Sequence, residues 1–141
     1  MFRKPECVAF AVILAISLSA GCGRGNGRLG LSGSVRLDGA PIDGGAIQFV
    51  PATGPILTTA GALIVGGRYT VAAKQGLLPG TYRVSVFWPE PSKGPGLITG
   101  VSAPPRRERI PERYNVKSEL TVEVRENTAN RFDFDLTTSG S

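Results

Sequence analysis

The sequence contains no histidine and only two cysteines, and each scarcity excludes classes of function. Without histidine, neither a Ser-His-Asp nor a Cys-His catalytic arrangement can form, and a catalytic zinc site loses its commonest ligand. The cysteines are Cys7 and Cys22, so no internal disulfide can form in the rest of the chain. We therefore expect a protein that is not an enzyme, holds no cofactor or metal, and depends on packing for its stability.

Charged residues are also scarce, at 19% of the chain, and the excess of positive charge is small. A net charge of +5 over 141 residues is compatible with an anionic surface but is far from a nucleic-acid signature. We expect no nucleic-acid partner. What is abundant is glycine (19) and proline (11), a composition that favours a turn-rich β-domain over a helical one.

The first 21 residues have the organisation of a secretory signal. Arg3 and Lys4 form a short positive region, and residues 7–20 are apolar and uncharged. This run is shorter than the roughly 20 apolar residues of a comfortable membrane span. Loss of residues 1–21, which also carry Glu6, takes the net charge from +5 to +4.

The apolar run ends at residues 18–22 (LSAGC), which resemble the lipobox of bacterial lipoproteins. In that family small residues precede a cysteine that is diacylated and becomes the new amino terminus. Ser19 stands where leucine is usual. The resemblance implies that Cys22 is lipidated and anchors the chain to the cell envelope, at the periplasmic or surface face of the outer membrane. The alternatives are an ordinary signal cut after Ala20 or Gly21, or an uncleaved anchor.

Residues 22–30 are interpreted as a flexible tether. Glycines alternate with other residues here, a pattern that also occurs in phosphate-binding loops. Such a loop needs a preceding strand and a following helix. Here a signal peptide precedes and a strand follows, so we interpret the segment as a spacer between membrane and domain.

From Leu31 to Leu136 the apolar residues recur with a period of two. Two sheets packed face to face bury strands that have one apolar face each, so a β-sandwich is expected over residues 31–136, followed by a disordered tail at 137–141. About seven strands are predicted, at residues 31–37, 46–50, within 57–64, 68–71, 82–88, 120–125 and 132–136.

The clearest of these strands is the one at residues 82–88. Its predicted inward face consists of four large apolar residues, Tyr82, Val84, Val86 and Trp88. Arg83 and Ser85 take the other face. Phe87 falls on that polar face and is expected to be exposed.

Several short motifs resemble the carboxypeptidase-regulatory-like, transthyretin-like domains of bacterial lipoproteins. They are SGSV at 32–35 with DGAPI at 38–42 and GG at 44–45, GRYT at 67–70 with LPGTYRV at 78–84, and IPERYN at 110–115 with residues 118–122 and 130–136. The resemblance implies a prealbumin-like Greek-key sandwich and implies no known activity. The related hydroxyisourate hydrolase has a histidine-bearing site and a Tyr-Arg-Gly-Ser tail. This chain has no histidine and ends TTSGS.

Paired carboxylates are the remaining candidates for chemistry. Asp133 and Asp135 lie two residues apart and hence on one strand face, where they would act as acid and base or bind calcium. Asp38 and Asp43 flank a turn. We interpret both pairs as solvated surface groups.

The most unusual segment is residues 89–111, which has six prolines and a basic cluster at Arg106, Arg107 and Arg109. Loops of this length are usually functional or disordered. One hypothesis is that the arginines grip phosphate, sulfate or carboxylate groups; the other is a spacer outside the core. Tyr114 is expected to pack, with Asn115 bonded to the backbone, and ligand stacking is the alternative for the tyrosine.

The leading expectation for function is a lipid-anchored, non-enzymatic envelope module with a structural or interaction role. Its partners are the membrane, through Cys22, and envelope proteins or polysaccharide. The alternative is a carbohydrate- or peptide-binding domain that uses Phe87, Tyr114 and the arginine segment. A hydrolase is the third and weakest hypothesis.

Overall fold

The computed structural model describes residues 25–55, 58–91 and 105–140. The predicted leader, Cys22 and the middle of the 89–111 segment lie outside the described residues. The strands are β1 Leu31–Leu37, β2 Ala40–Pro41, β3 Gly45–Pro51, β4 Ala60–Ile64, β5 Arg68–Val71, β6 Gly80–Phe87, β7 Thr121–Val124 and β8 Phe134–Leu136. Short 3₁₀ turns cover Ala73–Gln75 and Glu112–Tyr114. No helix in these ranges is both long enough and apolar enough to cross a bilayer.

The described strands form two sheets. One has the order β4-β3-β6-β7, with every neighbouring pair antiparallel. In the other, β1 pairs antiparallel with β5 and β2, and parallel with β8. The fold is therefore all-β with two sheets, as the period-two pattern predicted.

The strand count is eight in the described residues, where about seven were predicted. The additional strand is the two-residue β2. Asp38 and Gly39 both have positive φ, 51° and 80°, which is the type I′ turn that continues a hairpin. The sequence indicated the turn, but not that the chain after it pairs back onto β1.

A second glycine turn carries the chain from one sheet to the other. Gly66 and Gly67 have φ of 57° and 76°, and they connect Val65 to Arg68 through a two-residue hairpin. Beyond this short pairing, β4 stays in the first sheet and β5 joins β1 in the second. The chain therefore passes from the first sheet to the second at this turn.

The core lies between the sheets and confirms the predicted register of β6. Tyr82, Val84 and Val86 are fully buried, whereas Arg83 is exposed. Phe87 is half-buried rather than exposed, and Trp88 lies just beyond the end of β6, half-buried against the core. Each buried side-chain nitrogen or oxygen of the described residues has a hydrogen-bond partner.

The expectation that residues 89–111 lie outside the core was wrong at the carboxyl end of that segment. Ile110 is only 3% exposed and belongs to the core cluster. The reason is that the segment folds back onto the end of β6, where its last residues pair with the chain around Trp88 and Pro89. That pairing directs Ile110 inward.

Candidate functional site

Arg106, Arg107 and Arg109, here called the arginine ridge, lie on a short antiparallel pairing that extends β6. The Glu90 N–H donates to the Arg107 carbonyl at 2.8 Å, and the Arg109 N–H donates to the Trp88 carbonyl at 3.2 Å. All three arginines are exposed. Because the backbone of Arg107 and of Arg109 is hydrogen-bonded, the side chains of these two residues extend from a fixed base.

Glu108 holds this base in place. One of its carboxylate oxygens accepts the Trp88 N–H at 2.6 Å and the Ile110 N–H at 3.0 Å. Hydrogen bonds to a charged acceptor are stronger than those between neutral groups. The acidic residue within the ridge is therefore engaged by backbone donors, and the three described ion pairs of the chain involve neither Glu108 nor the ridge arginines.

Trp88 fixes the position of one arginine of the ridge. The Arg109 guanidinium carbon lies 4.7 Å from the centre of the indole ring. The indole N–H in turn donates to the Asp43 carbonyl at 2.8 Å, which orients the ring. A cation over an aromatic face contributes about 0.5–1 kcal/mol at exposed sites. Arg109 is thus held in position, and Arg106 and Arg107 are exposed.

A surface hollow of about 500 Å³ lies beside the ridge. Its lining combines apolar side chains with acidic and amide groups: Phe87, Glu108, Ile110, Pro111, Glu112, Asn115 and Val116. The Asn115 amide is already engaged, because it donates to the Ile110 carbonyl at 3.1 Å and its oxygen accepts the Val116 N–H at 2.6 Å. The structure therefore places Phe87 next to the ridge, in a hollow that is partly acidic.

Glu112, on the rim of this hollow, is paired with Lys117 at 2.6 Å. The hydrogen bond from the Lys117 ammonium, together with its charge, lowers the pKa of the Glu112 carboxyl. A general acid at neutral pH needs the opposite shift. Glu112 is thus suited to holding a charge pair and not to donating a proton.

Tyr114 is not among the residues that line the hollow. It is half-buried, and its hydroxyl accepts the Thr137 N–H at 3.4 Å, with the Arg113 guanidinium 4.7 Å from the ring centre. Hydrogen bonding with Thr137, and then with Arg113, lowers the pKa of the hydroxyl. The structure therefore separates Tyr114 from the hollow and places it against the chain end, while Asn115 bonds to the backbone as expected.

One member of each candidate carboxylate pair, Asp133 and Asp38, accepts hydrogen bonds at the surface. Asp133 accepts the Ser34 N–H at 2.8 Å and the Ser34 hydroxyl at 2.9 Å, and these bonds lower its pKa. Asp38 accepts the N–H of Thr138 at 2.9 Å and its hydroxyl at 2.6 Å, and the same contact lowers the Asp38 pKa. Within the described ranges, no three His, Cys, Asp or Glu residues lie close enough to hold a metal.

Sequence reasoning did not find two residues of the site, Trp88 and Glu108. Trp88 was assigned to the inward face of β6, and Glu108 was not singled out. Their roles depend on the fold-back of residues 105–110 onto β6, which neither periodicity nor composition indicates. The only available signal was the carboxylate at 108 within a run of arginines.

The chain matches no protein-family model, no curated protein and no solved structure in the comparisons made. A fold by itself does not specify a function.

Proposed function

We propose that this chain is a lipid-anchored module of the bacterial cell envelope whose arginine ridge binds anionic groups, phosphate above all, on an envelope component. The observation that carries the proposal is the ridge itself, three exposed arginines of which Arg107 and Arg109 have a hydrogen-bonded backbone. Guanidinium groups match phosphate and carboxylate oxygens through paired hydrogen bonds. The role is non-enzymatic and no cofactor takes part in it.

The proposal includes a transthyretin-like, Greek-key arrangement of the strands. Support comes from the sheet order, in which β3 and β4 form a hairpin, the chain crosses to β5 beside β1, and then returns to β6 beside β3. In a Greek key three consecutive strands are connected by hairpins and the fourth returns to lie beside the first, as β6 does beside β3. Two of the motifs that resemble the family begin at turns, where Asp38, Gly39 and Gly67 have positive φ.

The proposed anchor is the lipid on Cys22. Among the described residues, Leu29 is the first whose backbone is hydrogen-bonded to the domain, through bonds with Leu77 of 2.8 and 3.1 Å. Seven peptide units separate Cys22 from Leu29, so even a fully extended tether spans only about 25 Å. The domain would therefore stay close to the bilayer, where phosphate-bearing headgroups are concentrated.

The anchor is tested by Cys22→Ser, with Cys7→Ser as the matched control. Two acyl chains suffice for stable membrane attachment, at about 0.8 kcal/mol per buried CH₂. We expect Cys22→Ser to leave the protein in the soluble fraction or as an unprocessed precursor, and Cys7→Ser to fractionate with membranes like the natural chain. Fractionation and mass spectrometry of the amino terminus measure both. A Cys22→Ser protein that has lost its leader and still sediments with membranes would refute the lipid anchor.

The ridge is tested by replacing Arg106, Arg107 and Arg109 together with serine in the Cys22→Ser background. We expect weaker binding to vesicles containing phosphatidylglycerol, and a smaller effect of salt on the affinity that remains, because exposed charges are screened. Stability should change by only about 1 kcal/mol, since exposed charges contribute little. Vesicle co-sedimentation at several salt concentrations measures the affinity and its salt dependence, and thermal unfolding measures the stability.

The matched control replaces three other exposed arginines, Arg36, Arg68 and Arg83, with serine. It removes the same charge from elsewhere on the surface. Equal loss of binding in the two triple variants would show that only net charge matters and would contradict a ridge-specific site.

A second candidate function, binding of a carbohydrate or peptide, is favoured by the hollow beside the ridge, where Phe87 and Val116 provide apolar surface. Tyr114 does not contribute to that hollow. Phe87→Ala discriminates the two proposals: it should reduce binding to envelope polysaccharide or peptide if the hollow is the site, and leave vesicle binding unchanged.

A further inference from the structure

One edge of the wholly antiparallel sheet lacks the usual protection against pairing with another strand. β4 ends the sheet, and residues 59–65 (TAGALIV) contain neither charge nor proline. At the opposite end, β7 carries Glu123, which pairs with Arg125 at 2.6 Å. Exposed edge strands are usually blunted with charges, prolines or bulges. The β4 edge, unlike the β7 edge, is therefore suited to pairing with a further strand.

Leu63 of β4 is a large apolar side chain that is mostly exposed to solvent. It is 73% exposed, and Val65 just after the strand is 68% exposed. Among the described residues only Val116 is a comparably exposed large apolar side chain, and it lies outside the strands. Leu63 is thus the projecting side chain of the edge strand.

A hollow lies two residues before this projection on the same strand face. Gly61 and Leu63 share the outward face, because side chains alternate along a strand. Two grooves, of about 380 and 320 Å³, lie on either side of Gly61 and share Gln48. Because Gly61 has no side chain, the outward face of the strand is low at this position, although a Cβ atom there would lie 3.2 Å from the Ile47 carbonyl oxygen. The edge therefore carries a projection and a hollow at a spacing of two residues.

We propose that β4 pairs antiparallel with β4 of a second copy of this chain, with a two-fold axis at Ala62. In that register Leu63 packs over Gly61 of the partner subunit, and Ile64 lies opposite Ala60 of the partner subunit. Large residues meet small ones at both positions, on both sides of the axis. A second copy fits this edge better than an unrelated strand because the projection and the hollow already lie at the spacing that antiparallel self-pairing requires.

The backbone supports the same register. The Ile64 carbonyl accepts the Gly44 N–H at 2.9 Å, on the side of β3, and the backbone groups of successive residues point to alternate edges. The N–H and C=O groups of Gly61 and Leu63 therefore face the open edge. Val65 is already paired with Arg68 at 2.8 and 3.0 Å, so the new ladder ends at that turn. The dimer joins two four-stranded sheets into one, independently of the function proposed above.

A cysteine at the axis gives the first test. In an antiparallel pair that does not exchange hydrogen bonds, the Cα atoms lie about 4.5 Å apart, within reach of a disulfide. The full chain is prepared with Cys7→Ser and Cys22→Ser, so that the introduced cysteine is its only thiol. We expect Ala62→Cys to give a disulfide-linked dimer under mild oxidation, and Thr121→Cys, on the edge strand β7, to remain monomeric on a non-reducing gel. Absence of the Ala62→Cys dimer, or equal cross-linking of both variants, would overturn the proposal.

The second test places a charge at the interface. Leu63→Lys should weaken the dimer at least about tenfold, because burial of two leucine side chains is lost and each lysine meets the partner strand. Val116→Lys is the matched control, since Val116 is also 73% exposed but lies away from β4. Sedimentation of the full chain in detergent measures the dimer dissociation constants of the parent protein and of both lysine variants. Equal dimerisation of both lysine variants, or a monomeric parent chain, would contradict the β4 interface.

Discussion

Val84→Asp is expected to unfold the domain. Val84 is fully buried at the centre of β6, which pairs with β3 on one side and β7 on the other. An aspartate there would place a carboxylate in the core. The charged form is strongly unfavourable in that position, and protonation of the carboxylate also costs free energy. We expect a loss of about 4 kcal/mol or more, a large part of the stability of a domain of this size.

The control is Arg83→Asp, one residue earlier and exposed on the outer face. It introduces the same side chain on the same strand, and we expect it to change stability by less than about 0.5 kcal/mol. Chemical denaturation followed by circular dichroism measures both variants. Similar losses at positions 83 and 84 would mean that the register of β6 is wrong, because a shift of one residue exchanges the two faces.

The register of β6 is the part of the fold that the sequence determines best. Strict alternation of large apolar residues with Arg83 and Ser85 leaves one arrangement in which the apolar set is buried. The turns at residues 38–39 and 66–67 were also predictable, since positive φ at consecutive positions favours glycine and aspartate. The pairing of β2 was missed because a two-residue strand has no periodicity to detect.

The candidate site was predictable in its charges and not in its geometry. The basic cluster is visible in the sequence, and its arginines are exposed as expected. Its base depends on contacts between residues about twenty apart, the Glu108 carboxylate with the Trp88 N–H and the Arg109 guanidinium with the indole. The burial of Ile110 follows from the same contacts. Contacts between residues so far apart depend on the tertiary fold and produce no periodic pattern in the local sequence.

The separation of Tyr114 from the ridge has the same origin. Tyr114 follows Ile110 by four residues, and proximity in sequence suggested a shared site. The 3₁₀ turn Glu112–Tyr114 directs the tyrosine toward Thr137 near the carboxyl end of the chain, while Asn115 is fixed by its bond to the Ile110 carbonyl. The direction of a side chain after a tight turn depends on the backbone geometry of that turn, which the sequence alone did not provide.

The close approach of the carboxyl-terminal strand to β1 leads to a second large effect on stability. Gly33 of β1 is buried beneath Phe132, and a Cβ atom at position 33 would overlap the Phe132 carbonyl oxygen and lie 2.8 Å from the Tyr69 hydroxyl. The Tyr69 hydroxyl donates to that carbonyl at 2.7 Å, and the Phe132 N–H donates to the Ser32 carbonyl at 2.9 Å. Burial raises the pKa of the Tyr69 hydroxyl well above its usual range, so it remains a donor.

Gly33→Ala should therefore force the chain around Phe132 away from β1 and break both hydrogen bonds. We expect a loss of about 3 kcal/mol, from overpacking together with the lost hydrogen bonds. Gly61→Ala is the matched strand-glycine control, because its Cβ would meet its nearest neighbour, the Ile47 carbonyl oxygen, at 3.2 Å, a contact that a small shift relieves. Thermal unfolding of both variants at the same low protein concentration measures the difference. A Gly33→Ala protein as stable as the Gly61→Ala control would show that Phe132 does not pack over β1 as described.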